Sequence, residues 1–172
     1  PISKAILGWM EGRSDAAPLL EAALTAAPDE SLLFVRLAQV QRDQDGLTPA
    51  LGTLDRGVEA DRGYAPLREA RADIRRRYAR MRANAGHEDV DAHFAAALRD
   101  LESLRRWNGS LGAELLSLEG QIHADRADAL SNRGKDGSAH LDQAIRALLE
   151  AVKADPQNLS HQFYLAGNRL NR

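Results

Sequence analysis

The stretch from His87 to His93, HEDVDAH, gathers the residue types that hold metals or move protons. A zinc-protease helix needs a His, a Glu and a second His four residues after the first. Here the fourth position is Asp91, and His93 lies six residues on, around another face of a helix. His87 and Asp91 offer two ligands, fewer than the three protein ligands of a catalytic zinc site. The stretch reads better as a polar helix start, with its acids near the positive end of the helix dipole. His123 falls on an apolar stripe and reads as a packing residue rather than a base. Gly134-Lys135-Asp136-Gly137 has the composition of a phosphate loop without its spacing or a strand ahead of it, so it reads as a plain loop. Neither a nucleophile elbow nor a dinucleotide fingerprint is present. The chain has no cysteine, which excludes disulfides, thiol chemistry and thiolate metal sites. The expectation is a non-enzyme, with no catalytic residues, no metal and no cofactor.

Arg68, Arg71, Arg75, Arg76, Arg77, Arg80 and Arg82 concentrate positive charge in one segment. Such a cluster can serve an acidic peptide, a phosphate or a nucleic acid. It can equally be a solvated helix face whose arginines pair with Glu69, Asp73 and their neighbours. Aromatic residues do not interleave with these arginines as they do on stacking platforms. The formal net charge is −2, so the surface as a whole does not attract nucleic acid. Pairing is the preferred reading, an acidic protein partner comes next, and nucleic acid is not expected.

The elements carrying these residues are helices. Ala, Leu, Arg and Asp dominate, β-branched residues are few and aromatics make up 5% of the 172 residues, a mixture that favours helix almost throughout. No apolar run approaches the roughly 20 residues of a membrane span. No signal-peptide pattern opens the chain, and the start at Pro1 suggests a processed or trimmed piece of a larger protein. The end points the same way, since LSHQFYLAGNRLNR begins an amphipathic helix without a partner helix after it. The sequence does not fix a compartment; the cytoplasm is the favoured one.

Two segments carry one spacing. Ala16, Leu20, Ala23 and Pro28 match Ala144, Leu148, Ala151 and Pro156, each reading A-x3-L-x2-A-x4-P. Small residues on either side of a Leu let a neighbouring helix approach closely, and the Pro lies just past the helix end. Between them, Phe34, Leu37 and Ala38 are followed by Ala50, Leu54 and Gly57, with Asp61-Arg62 where Asp-Pro would stand. Pro28 to Arg62 spans 34 residues. Leu67, Ala70, Ile74, Tyr78 and Met81 then form a longer stripe, and Val90, Phe94, Ala97, Leu101 and Leu104 another, ending at Gly109. Arg62 to Gly109 and Gly109 to Pro156 are 47 residues each, the basic unit plus 13.

With these motifs the chain resembles the tetratricopeptide repeat (TPR) family, in degenerate form with lengthened helices. The resemblance implies an all-α fold of helical hairpins stacked as a right-handed superhelix, an α-solenoid. The expected hairpins cover residues 2–28, 29–62, 63–109 and 110–156, with an orphan helix over 159–171. Arrays of this family bind proteins along a concave groove lined by first helices. The groove positions that carry over are Val35, Gln39 and Arg42, then Glu69, Asp73, Arg76 and Arg77, then Gln121 with Ser117 beside it. Their mixed charge suits a polar peptide or partner domain, making the chain a protein-interaction scaffold. The alternatives are self-association through the C-terminal helix, whose Phe163, Tyr164 and Leu165 need covering, or a spacer segment. The loop before Ala144 also resembles repeat regions that follow kinase domains in some bacterial serine/threonine kinases, which would make the parent a signalling kinase.

Overall fold

The computed structural model describes residues 2–170. These form α1 (Ile2–Met10), α2 (Ala16–Ala26), α3 (Ser31–Gln44), α4 (Leu47–Ala60), α5 (Ala65–Asn84), α6 (Val90–Asn108), α7 (Ala113–Ser131), α8 (Ser138–Ala154) and α9 (Leu159–Leu170), with no strand among the described residues. Residue 171, expected in the last helix, lies outside them. The turns follow from the punctuation in the sequence. Gly109 ends α6 at φ 74°, a left-handed conformation that suits glycine and stops the helix. Pro28 and Pro156 stand two residues beyond α2 and α8, where the chain must leave the helix. Asp15 stands at the start of α2, and its carboxylate is taken by Arg13 Nε and Nη2 at 2.8 and 2.7 Å, so no side chain closes that end.

The helices divide into two compact units, the first ending at Ile74 and the second beginning at Arg75. In the first, α1 packs on α2, α2 on α3 and α3 on α4. Leu20, Leu33, Leu37, Leu54 and Leu67 are wholly buried there, with Ala5, Ala23 and Ala50 between them. Small residues set the helix separation: a Cβ added to Gly57 would lie 2.7 Å from Leu67 Cδ2 and 2.9 Å from Phe34 Cβ. The Thr53 hydroxyl donates to Gln41 Oε1 at 2.7 Å, tying α4 to α3. The Asp61 carboxylate accepts from the Ser31 hydroxyl at 2.7 Å and from the N–H groups of Gly63 and Tyr64, and these bonds hold it below the usual carboxylate range. At the other end of the unit the Arg36 guanidinium lies 4.0 Å over the Trp9 ring.

The second unit holds the last ten residues of α5 and α6 to α9. Val90, Phe94, Leu101, Leu104, Ile122 and Leu148 form its buried interior. α7 and α8 approach most closely at Gly120, whose Cβ would stand 2.6 Å from Leu148 Cγ and 3.2 Å from the Ala144 carbonyl oxygen. α9 seats on α8 through Leu165, against Ile145 and Leu148, and buries His161. The stripe read along α5 departs from observation at its end. Met81 is 48% exposed, while Ala72, Ala79 and the side chain of Arg76 are buried.

Candidate functional site

Val35, Gln39 and Arg42 follow one another at four- and three-residue steps, which sets them on one face of α3. That face looks onto a recess of about 130 Å³ within the first unit. Ala38 and Leu54 form part of its floor, and Ala70, Asp73 and Ile74 of α5 close the far side. Four of the groove residues expected from the sequence thus surround one recess. Glu69, a turn earlier on α5, is half-buried and does not line it. The rim is polar. Gln39 Oε1 accepts from Arg36 at 3.0 Å, and Arg42 donates to Asp43 at 2.7 and 3.1 Å. The bond to Asp43 is the main reason the Arg42 pKa is raised, and the charge of Asp73 adds to it.

A second recess, of about 440 Å³, lies within the second unit. Arg76, Arg77 and Arg80 of α5 form one wall, Gln121, Ala124, Asp125 and Asp128 of α7 another, and Phe163, Tyr164, Gly167 and Asn168 of α9 the third. Arg76 Nη1 donates to Asp125 Oδ2 at 2.8 Å, with both side chains nearly out of water, and Arg80 approaches Asp125 at 3.7 Å. Burial pushes the Asp125 carboxyl above its ordinary range, and the two guanidiniums pull it part of the way back. Gln121 donates to the Ser117 hydroxyl at 3.3 Å; Ser117 is buried behind the recess rather than in it. Arg76, Arg77 and Gln121 therefore line one recess. Asp125 went unremarked in the sequence, although Asp125 and Asp128 follow Gln121 at the four- and three-residue steps of a single helix face, and Phe163 and Tyr164 were named there only as a face for self-association.

Three more arginines of α5 bond beyond their own helix. Arg71 meets Asp55 of α4 at 3.0 Å, and Arg75 meets the buried Asp100 of α6 at 3.0 Å. Arg82 donates to both oxygens of Asp89, just before α6. The pairing preferred on sequence, with Glu69, Asp73 and their neighbours, thus extends to carboxylates on packed helices, which the three- and four-residue steps along α5 do not reveal.

The HEDVDAH acids are engaged likewise. Asp91 accepts two bonds from Arg126, at 2.7 and 2.8 Å, and Arg133 donates to the His87 and Glu88 carbonyls. His93 meets the Tyr78 ring edge-on at 4.8 Å between centroids. No group of three or more His, Asp or Glu able to hold a metal occurs among the described residues. His123 is buried and stacks on His140 at 5.5 Å; burial, with His140, Arg126 and Arg146 nearby, lowers its pKa to about 4. Among the described residues no helix is long and apolar enough to cross a membrane.

No protein-family model matches this chain, and no curated protein matches it. Solved structures do. MamA from Desulfovibrio magneticus RS-1, from residue 41 to its end, superposes with a TM-score of 0.75 at 12% identity, covering 98% of this chain and 81% of that one. A double-mutant form of MamA RS-1 gives 0.74 at the same identity and coverage. A thermophilic TPR protein from Thermus thermophilus gives 0.56 at 21% identity, covering 98% and 96%. At these identities the likeness is one of fold. The chain is an all-α, TPR-like helical repeat of the α-solenoid class.

Proposed function

We propose that the chain is a non-catalytic scaffold that binds a polar peptide, or an extended segment of a partner protein, at the face of α3 and α5 in the first unit or at that of α5, α7 and α9 in the second. The observation that carries this reading is the gathering of Val35, Gln39, Arg42 and Asp73 around one recess, and of Arg76, Arg77 and Gln121 around another. Helix faces with apolar floors and charged rims suit an extended chain, whose main-chain groups need donors and acceptors while its side chains need pockets. Within the second recess, Arg76 is buried against Asp125, while Arg77 and Arg80 are exposed. The test is selection of random dodecapeptides on the immobilised chain. Selected peptides should bind at least tenfold more weakly to an Arg42→Glu/Arg77→Glu variant, and undiminished binding would remove the reading.

A second reading, self-association, draws on α9. Leu159 and Phe163 are each 76% exposed there and Leu170 88% exposed, on one side of the helix. A mass by light scattering that rises with concentration, and no longer does so in Phe163→Ser, would support it. A constant monomer mass would dismiss it.

A further inference from the structure

We infer that α9 pairs with the α9 of a second copy of this chain, antiparallel and across a two-fold axis, with Phe163 of each copy seated on Ala166 of the other. The inference rests on the self-association reading and gives that association its geometry. α9 turns His161 and Leu165 into its own unit. On another side Leu159, Phe163, Ala166 and Leu170 are all exposed. They follow one another at steps of four, three and four residues, so they fall in one narrow stripe along the helix. α1 also exposes Leu7 and Met10, yet these cover a single turn, while the α9 stripe runs for about three.

The order of the steps names the partner. Four, three, four reads the same in either direction. Two copies laid antiparallel therefore bring Leu159 opposite Leu170 and Phe163 opposite Ala166, and both pairs recur beyond the axis. A large ring then meets the smallest side chain of the stripe, and the two helices can approach closely. Laid parallel and in register, the stripe would set Phe163 on Phe163 and Ala166 on Ala166, a bulge beside a gap. Charge favours the same arrangement. Glu114 of α7, its side chain 79% exposed, stands beside the start of α9, where it accepts from Asn158 at 2.9 Å. Arg169 is exposed at the other end of the helix. Antiparallel pairing carries Arg169 of each copy toward the Glu114 end of the other and opposes the two helix dipoles. Parallel pairing would put arginine beside arginine.

The chain has no cysteine, so an introduced one reports a single contact. Leu159→Cys chains mixed with Leu170→Cys chains under mild oxidation should form a mixed disulfide. Leu159→Cys alone should form little. In the antiparallel pair its two copies stand about 16 Å apart along the helix axis, and a disulfide needs Cα atoms within about 7 Å. Phe163→Ala should weaken dimerisation about tenfold or more, read from the light-scattering mass against concentration. The exchanged variant Phe163→Ala/Ala166→Phe rebuilds the large-on-small contact and should return the dimer to within about threefold of the parent. These positions are exposed, so circular dichroism should stay native throughout. A Leu159→Cys disulfide with itself that exceeds the mixed one, or no rescue in the exchanged variant, would overturn the inference and leave self-association standing. A dimer mass with no disulfide through α9 would do the same. A constant monomer mass would remove both.

Discussion

Asp125 lies between Arg76 and Arg80, and its neighbours are what allow a carboxylate to remain there. Removing Arg76 leaves that charge buried with only a distant partner, so Arg76→Ala should cost about 3–5 kcal/mol. The double replacement with Asp125→Ala should recover part of the loss, since no buried charge is left over. Urea titrations of the four chains check this; additive losses would mean that the pair is not coupled. His123 makes a different prediction. Its imidazole titrates at about 4 in the folded chain and near 6.5 when unfolded. Between those values the unfolded state binds more protons, so this contribution is whole above pH 6.5 and is lost as pH falls toward 4. His123→Gln should flatten the stability curve in that window by about 2 kcal/mol. An unchanged slope from pH 7 to pH 4.5 would show that the buried ring is not its source.

The helix contacts that matter most at the next scale are made by residues with little or no side chain. Gly120→Ala would press a methyl onto Leu148 and the Ala144 carbonyl, and should cost about 1–3 kcal/mol in a denaturant titration. Gly137 is less forgiving, because its Cβ would lie 2.6 Å from the Ala127 backbone oxygen, which no rotamer change relieves. In Gly137→Ala, amide exchange should speed up in the first turn of α8 while α6 keeps its protection. Uniform exchange would argue against a local displacement. Much of this was legible in the sequence. Ala16, Leu20 and Ala23 in α2 and Ala144, Leu148 and Ala151 in α8 all prove buried, because an apolar stripe of period 3.6 has one face to hide. The end of α5 was not legible. Arg76 is hidden and Met81 exposed because Asp125, 49 residues later in the chain, offers the arginine a partner. Helical period carries no record of a partner so distant. Of the recess linings, the α3 positions could be named only through the family resemblance, while the α9 wall of Phe163 and Tyr164 depended on how that helix seats on α8.

For the molecule as a whole, the division after Ile74 sets the expectation for unfolding. In repeat folds each part is stabilised mainly by its immediate neighbours. Leu37→Ala, at a fully buried site in the first unit, should cost about 2–5 kcal/mol. Its effect on amide exchange should be larger over residues 2–74 than over residues 75–170. Equal loss of protection throughout would mean that the chain opens as one cooperative body. A probe for this already exists in the chain. Of its two tryptophans, Trp9 lies under the Arg36 guanidinium in the first unit, and Trp107 is 47% exposed near the end of α6 in the second. Their emission should therefore differ in colour and in access to quenchers. Trp9→Phe and Trp107→Phe would each leave a single intrinsic fluorophore, so the melting of either unit can be followed optically without attaching a label.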